Sequence, residues 1–180
     1  MNKFFKECKA IFLMVGMIKG KALKYGDDIN TDVIFPGRYL ALTEPEEIAA
    51  HAMEDLDPAF LKKLNKGDII VAGKNFGCGS SREQAAIALK YAGVGAIIAR
   101  SFARIFYRNA INQGIPVIEC SECVEIIEDG DEIEIDLDKG VIVDKSKNRT
   151  FNFKPLPEFI QNILRQGGLL PFLKQTLEIK

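Results

Sequence analysis

The sequence has 180 residues, 47% of them hydrophobic and 27% charged, with 24 basic residues against 25 acidic ones. That is the length of one domain, too apolar for a disordered tail and too evenly charged to attract a phosphate backbone, so nucleic acid is not an expected partner. No apolar run approaches the roughly 20 residues of a membrane-spanning helix, and a single His excludes a self-sufficient His-based zinc enzyme.

Met1 to Met17 is basic and then apolar, like a short signal sequence, but the apolar piece Ala10 to Val15 is brief and no small-residue cleavage pattern follows. Residues 1–16 are therefore expected to be a peripheral extension, or the product of a start codon placed too early. The domain proper is read over 17–165, with a partly apolar tail at 166–180 that packs on the body or on a partner.

Lys19 to Leu23 is a short strand candidate, followed by the polar loop Tyr25 to Asp32 and by apolar segments broken at Pro36-Gly37. Thr43-Glu-Pro-Glu46 has capping-box spacing and predicts a helix over about 45–55, with another short helical stretch at Phe60 to Leu64. Ile69 to Ala72 is a buried-strand pattern. Ser81 and Gln84 again have capping-box spacing ahead of a strong helix former that Gly93 stops. Gly95 to Ala99 reads as a second buried strand, Ser101 as the cap of a helix through about Asn112, and Ile115 to Ile118 as a third strand. Gly130 to Asp138 alternates between apolar and acidic residues and predicts a hairpin with Val141 to Val143. A helix is expected from Pro157 to Leu164. The sum is one mixed α/β domain.

Of the four cysteines, Cys8, Cys78, Cys120 and Cys123, only the last two are close, and no second pair completes a thiolate metal site. They are read as ordinary thiols of a reducing cytoplasm. His51 falls on the predicted 45–55 helix as a surface or packing residue.

The sharpest segment is Gly73 to Gln84, where a strand runs through a glycine-rich turn into a helix. That arrangement points backbone N–H groups at an anion. Gly77 and Gly79 let the chain bend and approach a ligand. Ser80, Ser81 and Arg82 then emerge at the helix start, where donors can stabilise a developing alkoxide and a guanidinium can grip a carboxylate. The segment lacks the Gly-Lys-Ser/Thr of a phosphate-binding loop, the third glycine of a dinucleotide loop and the Gly-x-Ser-x-Gly of a nucleophile elbow. On these residues alone, a structural turn with a capping serine competes with an anion-binding site.

Gly77-Cys-Gly-Ser-Ser-Arg-Glu83, Ser101-Phe-Ala-Arg-Ile105 and Asp27-Asp-Ile-Asn-Thr-Asp-Val-Ile34 occur in one chain. Together they resemble the family of 3-isopropylmalate dehydratase small subunits, which is similar to the swivelling C-terminal domain of aconitase. The resemblance covers about residues 17–165 and implies a single swivelling β/β/α domain. It implies a hydro-lyase that moves water between neighbouring carbons of a small hydroxy-dicarboxylic or tricarboxylic acid. It further implies that the small chain is active only with a large subunit, which binds a [4Fe-4S] cluster, and that this chain itself binds no metal. Ser80 matches the proton-abstracting serine, Ser81 and Arg82 the carboxylate-binding pair, and Asp32 an acidic residue near the serine. Arg104 is expected to brace the loop or face the partner. Gln84 stands where aconitase has histidine, and Cys78 is not expected to be a cluster ligand.

Arg38, Tyr39, Leu40, Ala41 and Leu42 lie in the loop that this resemblance makes the reader of the substrate side chain. Homoaconitase-like relatives carry arginine after Tyr-Leu, where this sequence has Ala41. An apolar pair packs on a branched alkyl group, whereas arginine would be left unpaired there. The expected substrate is thus isopropylmalate, of leucine biosynthesis. Arg38 keeps a third carboxylate open as an alternative, and methyl-substituted malates such as citraconate or 2,3-dimethylmalate also fit. The remaining alternatives are a non-catalytic acidic-ligand domain and self-association of the isolated chain.

Overall fold

The computed structural model describes residues 16–177; the expectations for residues 1–15 and 178–180 lie outside them. A seven-stranded sheet in the order β4-β3-β2-β1-β5-β6-β7 organises the chain. Its strands are β1 (Met17–Lys24), β2 (Ile69–Ala72), β3 (Ala96–Ala99), β4 (Val117–Glu119), β5 (Glu132–Asp136), β6 (Val141–Asp144) and β7 (Arg149–Asn152). β1 is the hinge between two styles of pairing. It runs parallel to β2, and β3 and β4 continue in parallel, while β5, β6 and β7 add an antiparallel half.

The residue patterns explain this division. Ile69–Ala72 and Ala96–Ala99 are buried throughout, as strands covered on both faces must be. Ile70 and Ala72 face one core with Ile97 and Ala99; Ile69, Val71, Ala96 and Ile98 face the other. In β5, Ile133 and Ile135 are buried and Glu132 is exposed, so acids alternate with core residues. The proline at 116 delays β4, which starts at Val117 rather than Ile115, although the Pro116 carbonyl still accepts from Ile97 at 2.9 Å.

Eight helices of the described residues flank the sheet: α1 (Thr31–Ile34), α2 (Pro45–Ala49), α3 (Phe60–Lys63), α4 (Glu83–Ala92), α5 (Arg104–Asn112), α6 (Ser121–Ile126), α7 (Glu158–Arg165) and α8 (Leu169–Thr176). The helix expected at 45–55 is only α2, followed by turns in which Met53 takes a φ of 60° and donates to Ile34 at 2.8 Å. Burying Met53 and Ala52 takes precedence over continuing the helix. None of the three predicted hydroxyl caps forms. α2, α4 and α5 begin after Glu44, Arg82 and Ala103, and no side chain caps them. The tail helix α8 packs on α5 and α7, with Leu169 and Phe172 against the core.

Cys120 and Cys123 are not free thiols: the structure joins them as a disulfide. Cys120 follows β4 and caps α6, its sulfur accepting from Cys123 N at 3.3 Å. The one-turn spacing brings both side chains under the helix start, a helix the sequence reading did not anticipate.

Candidate active site

Parallel β1, β2 and β3 end on one edge, so the loops that leave them are neighbours by construction. Backbone bonds stitch these loops together: Gly73 N to Gly26 O at 2.9 Å, Arg100 N to Gly73 O at 3.1 Å, and Asp28 N to Lys74 O at 2.8 Å. All three sequence motifs lie here.

The glycine-rich loop is held from both sides. Gly77 N donates to Ile29 O at 2.7 Å and Thr31 N to Cys78 O at 2.8 Å, while Phe76 N donates to Ser101 O at 3.0 Å. Thr31, buried, donates from Oγ1 to the Ser80 carbonyl at 2.9 Å, which fixes the backbone that carries Ser80. Gly77 has φ 78°, and a Cβ there would lie 2.1 Å from Cγ of Phe106. Only glycine combines that dihedral with that proximity. Ser101 uses its hydroxyl to accept from Asn75 N at 3.0 Å instead of capping a helix.

Ser80 and Ser81 are exposed at the loop's end, ahead of α4. Arg82 is extended, with φ −121° and ψ 111°, so the helix starts beyond the reach of the Ser81 hydroxyl and its first N–H groups have no side-chain cap. Those amides and the positive end of the helix face the region of Ser81 and Arg82. The Arg82 side chain is 15% exposed; its Nη1 pairs with Asp32 Oδ1 at 2.5 Å and donates to Phe35 O at 3.4 Å. Asp32 sits in the first turn of α1, whose cap is Asn30, accepting from Val33 N at 3.0 Å.

The predicted reader segment adjoins this group. Gly37 to Tyr39 forms a 3-10 turn, and a Cβ on Gly37 would lie 3.5 Å from both terminal nitrogens of Arg82. Leu40 and Ala41 are exposed, and Leu42 packs on the core. Arg38 points elsewhere. Its guanidinium takes Asp55 at 2.8 and 2.6 Å, bonds Glu54, and lies 4.7 Å from the Tyr39 ring centre. Tyr39 stacks on His51 at 3.6 Å, and His51 Nδ1 meets Glu54 Oε2 at 2.8 Å. Burial pushes the Glu54 carboxyl up, but hydrogen bonds from His51, Tyr39 and Arg38 outweigh it and hold it below its ordinary value. The Arg38 hydrogen bond likewise lowers Asp55.

The structure therefore brings together Asp32, Gly77, Gly79, Ser80, Ser81, Arg82 and the backbone of the reader turn. It does not bring in Arg104, which is exposed at the start of α5 and makes no side-chain bond among the described residues. The bracing role falls to the backbone, with Ala103 N donating to Phe76 O at 2.9 Å. Thr31, Phe106 and the pair Glu54 and Asp55 were missed by the sequence reading. A buried threonine inside a quoted motif was the one available signal for the first.

The model of the Aconitase C-terminal domain matches residues 28–122, which hold the glycine-rich loop and most of its supports. The chain belongs to the aconitase C-terminal domain family. It is 59% identical over 162 residues to a 3-isopropylmalate dehydratase small subunit of Caldicellulosiruptor saccharolyticus, covering 90% of this chain and 94% of that protein. It is also 54% identical to a 2,3-dimethylmalate dehydratase small subunit of Eubacterium barkeri, covering 88% and 97%. The crystal structure of a 3-isopropylmalate dehydratase from Methanocaldococcus jannaschii superposes with a TM-score of 0.85 at 53% identity, covering 91% of this chain and 96% of that one. The mixed α/β architecture is thus that of the family.

Proposed function

We propose that this chain is the small subunit of a cytoplasmic hydro-lyase that interconverts 2-isopropylmalate and 3-isopropylmalate through isopropylmaleate, in leucine biosynthesis, and that it works only with a large subunit. The observation that carries this reading is the convergence of Ser80, Ser81 and Arg82 at an uncapped helix start, with the reader turn against the Arg82 guanidinium.

In this reading Ser80 Oγ takes the proton from the carbon beside the substrate carboxylate. A serine alkoxide is too basic to form unaided, so the amides that open α4 and the charge of Arg82 must stabilise it. Asp32 occupies Nη1 of Arg82 and sets the plane of the guanidinium. Nη2 and Nε, which have no partner among the described residues, are then available for a two-pronged carboxylate bond. Ser81 adds a donor beside them. Leu40 and Ala41 offer apolar contact to a branched substituent.

The described residues offer no cradle for the cluster itself. Among the described residues no three His, Cys, Asp or Glu side chains are placed to hold a metal ion, and Cys120 and Cys123 are already paired. In this reading the [4Fe-4S] cluster belongs to the large subunit, where it would supply the Lewis acid for the departing hydroxyl.

The name of the Eubacterium barkeri relative favours one second reading, a methyl-substituted malate as substrate. The test is hydration of isopropylmaleate and of dimethylmaleate by this chain plus its cognate large subunit, reconstituted with iron and sulfide without oxygen. Activity is expected only in the mixture, greatest with isopropylmaleate, and lower by about 10²–10⁴-fold for Ser80→Ala, the range of a lost general base. Full activity of Ser80→Ala in an intact complex would overturn the catalytic reading and leave an acidic-ligand-binding domain. Preference for dimethylmaleate would overturn only the substrate.

A further inference from the structure

The side chain of Arg38 is the only cation contributed by the reader segment 37–42, and three hydrogen bonds tie it to two carboxylates on the stretch after α2. Asp55 receives it through both carboxylate oxygens, and Glu54 takes Nη2 as well. Glu54 is itself fixed by His51, whose ring lies flat on Tyr39, the neighbour of Arg38. The single histidine of the chain thereby closes a ring of contacts, Arg38 to Glu54 to His51 to Tyr39 and back to Arg38. Backbone geometry puts the base of this arginine beside the substrate-gripping one, since Gly37 approaches the Arg82 guanidinium.

We propose that Glu54 and Asp55 are specificity-positioning residues, which hold Arg38 out of the substrate pocket and so deny a third carboxylate its counter-charge. The proposal rests on the hydro-lyase reading given above and names how that site selects its substrate. A bidentate carboxylate bond competes directly with any substrate carboxylate for the same guanidinium fork. With both acids ionised, a substrate ending in a carboxylate meets Leu40 and Ala41 and loses its hydration without a partner. An alkyl-ended substrate has nothing to lose there. Discrimination comes from sequestering a cation as much as from providing an apolar wall.

The test uses the reconstituted two-subunit enzyme and measures kcat/KM for homoaconitate and for isopropylmaleate. In Glu54→Gln/Asp55→Asn, the ratio of homoaconitate to isopropylmaleate kcat/KM is expected to rise about tenfold, the worth of one charge-assisted hydrogen bond. Most of the gain is expected in the KM for homoaconitate. Adding Arg38→Ala to the double variant should return the ratio to its wild-type value. Asp55→Glu, which keeps a carboxylate on the same side, should stay near wild type. A fold-wide structural role would lower both substrates together and leave the ratio still, and that result would overturn the proposal. So would a raised ratio that survives Arg38→Ala. Failure of the wild-type complex to turn over either compound would instead remove the hydro-lyase reading, and the proposal with it.

Discussion

Replacing Gly77 by alanine tests whether the loop that carries Ser80 is shaped by its contact with Phe106. Two costs add at this position. The dihedral φ of 78° lies in the left-handed region, where an L side chain costs about 1–2 kcal/mol. The new methyl would lie 2.1 Å from Cγ and 2.3 Å from Cβ of Phe106, so one of the two must move. Phe106 is buried and packs edge-on against Phe76 at 5.2 Å, which leaves it little room, and such overpacking costs about 1–3 kcal/mol. The expected loss is therefore about 2–5 kcal/mol in urea unfolding of the isolated chain. Phe106→Ala removes Cγ and the whole ring and leaves only Cβ of the contact, so the double variant should be less destabilised than the sum of the singles. A Gly77→Ala loss below about 1 kcal/mol, smaller than the dihedral cost alone, would refute the argument. Strict additivity with Phe106→Ala would refute its steric half.

Two other expectations follow from the same loops. Thr31→Val keeps the shape of a buried side chain but removes the donor to the Ser80 carbonyl. Stability should fall by about 1–2 kcal/mol in urea unfolding, kcat of the complex should fall more than KM changes, and Thr31→Ser should restore both. The reader turn should also depend on pH. Glu54 and Asp55 are held below their ordinary values of 4.5 and 3.8, so their contribution is complete above those values and is lost as pH falls through the lower folded ones. Arg38, His51 and Tyr39 are the groups that face them. Amide signals of Leu40 and Leu42, which close the turn onto Gly37 and Tyr39, should shift as pH falls below those ordinary values. The same titration in Glu54→Gln/Asp55→Asn should be flat; a shift that persists there would assign the transition to other groups.

The order of strands and loops was legible wherever one residue pattern had one physical outcome. Ile69–Ala72 and Ala96–Ala99 are apolar without interruption because both faces of a parallel sheet are covered. The alternation of Ile133 and Ile135 with acids could serve only a strand with one wet face. Helix starts were the opposite case. Thr43, Ser81 and Ser101 each had the residue type and spacing of a cap, yet a cap also needs the right backbone dihedral two or three residues before the first helical amide. Arg82 and Ala103 are extended, which moves each helix start downstream, and spacing alone cannot report a dihedral. The disulfide was missed for a related reason. Reading Cys120 and Cys123 as free thiols required that nothing bring them together, and the unrecognised one-turn helix α6 does so.

The site itself divides along the same line. The residues proposed to act through their own side chains, Ser80, Ser81, Arg82 and Asp32, stand in short sequence-local motifs and could be proposed before any fold was known. Residues that act by position could not. Thr31 meets Ser80 across 49 positions of sequence, and Phe106 limits Gly77 from another helix. Arg38 shows why the distinction matters for specificity. On sequence distance alone it was the one feature that favoured a third carboxylate, because it stood three residues from Ala41. Its bonds to Glu54 and Asp55 reverse the sign of that evidence: the same cation, already neutralised 16 and 17 positions away, argues for a substrate that has no third charge to offer. A charged residue near a pocket therefore carries no meaning for selectivity until its partners are known, and in the proposed reading those partners leave Leu40 and Ala41 as the surface a substrate side chain would meet.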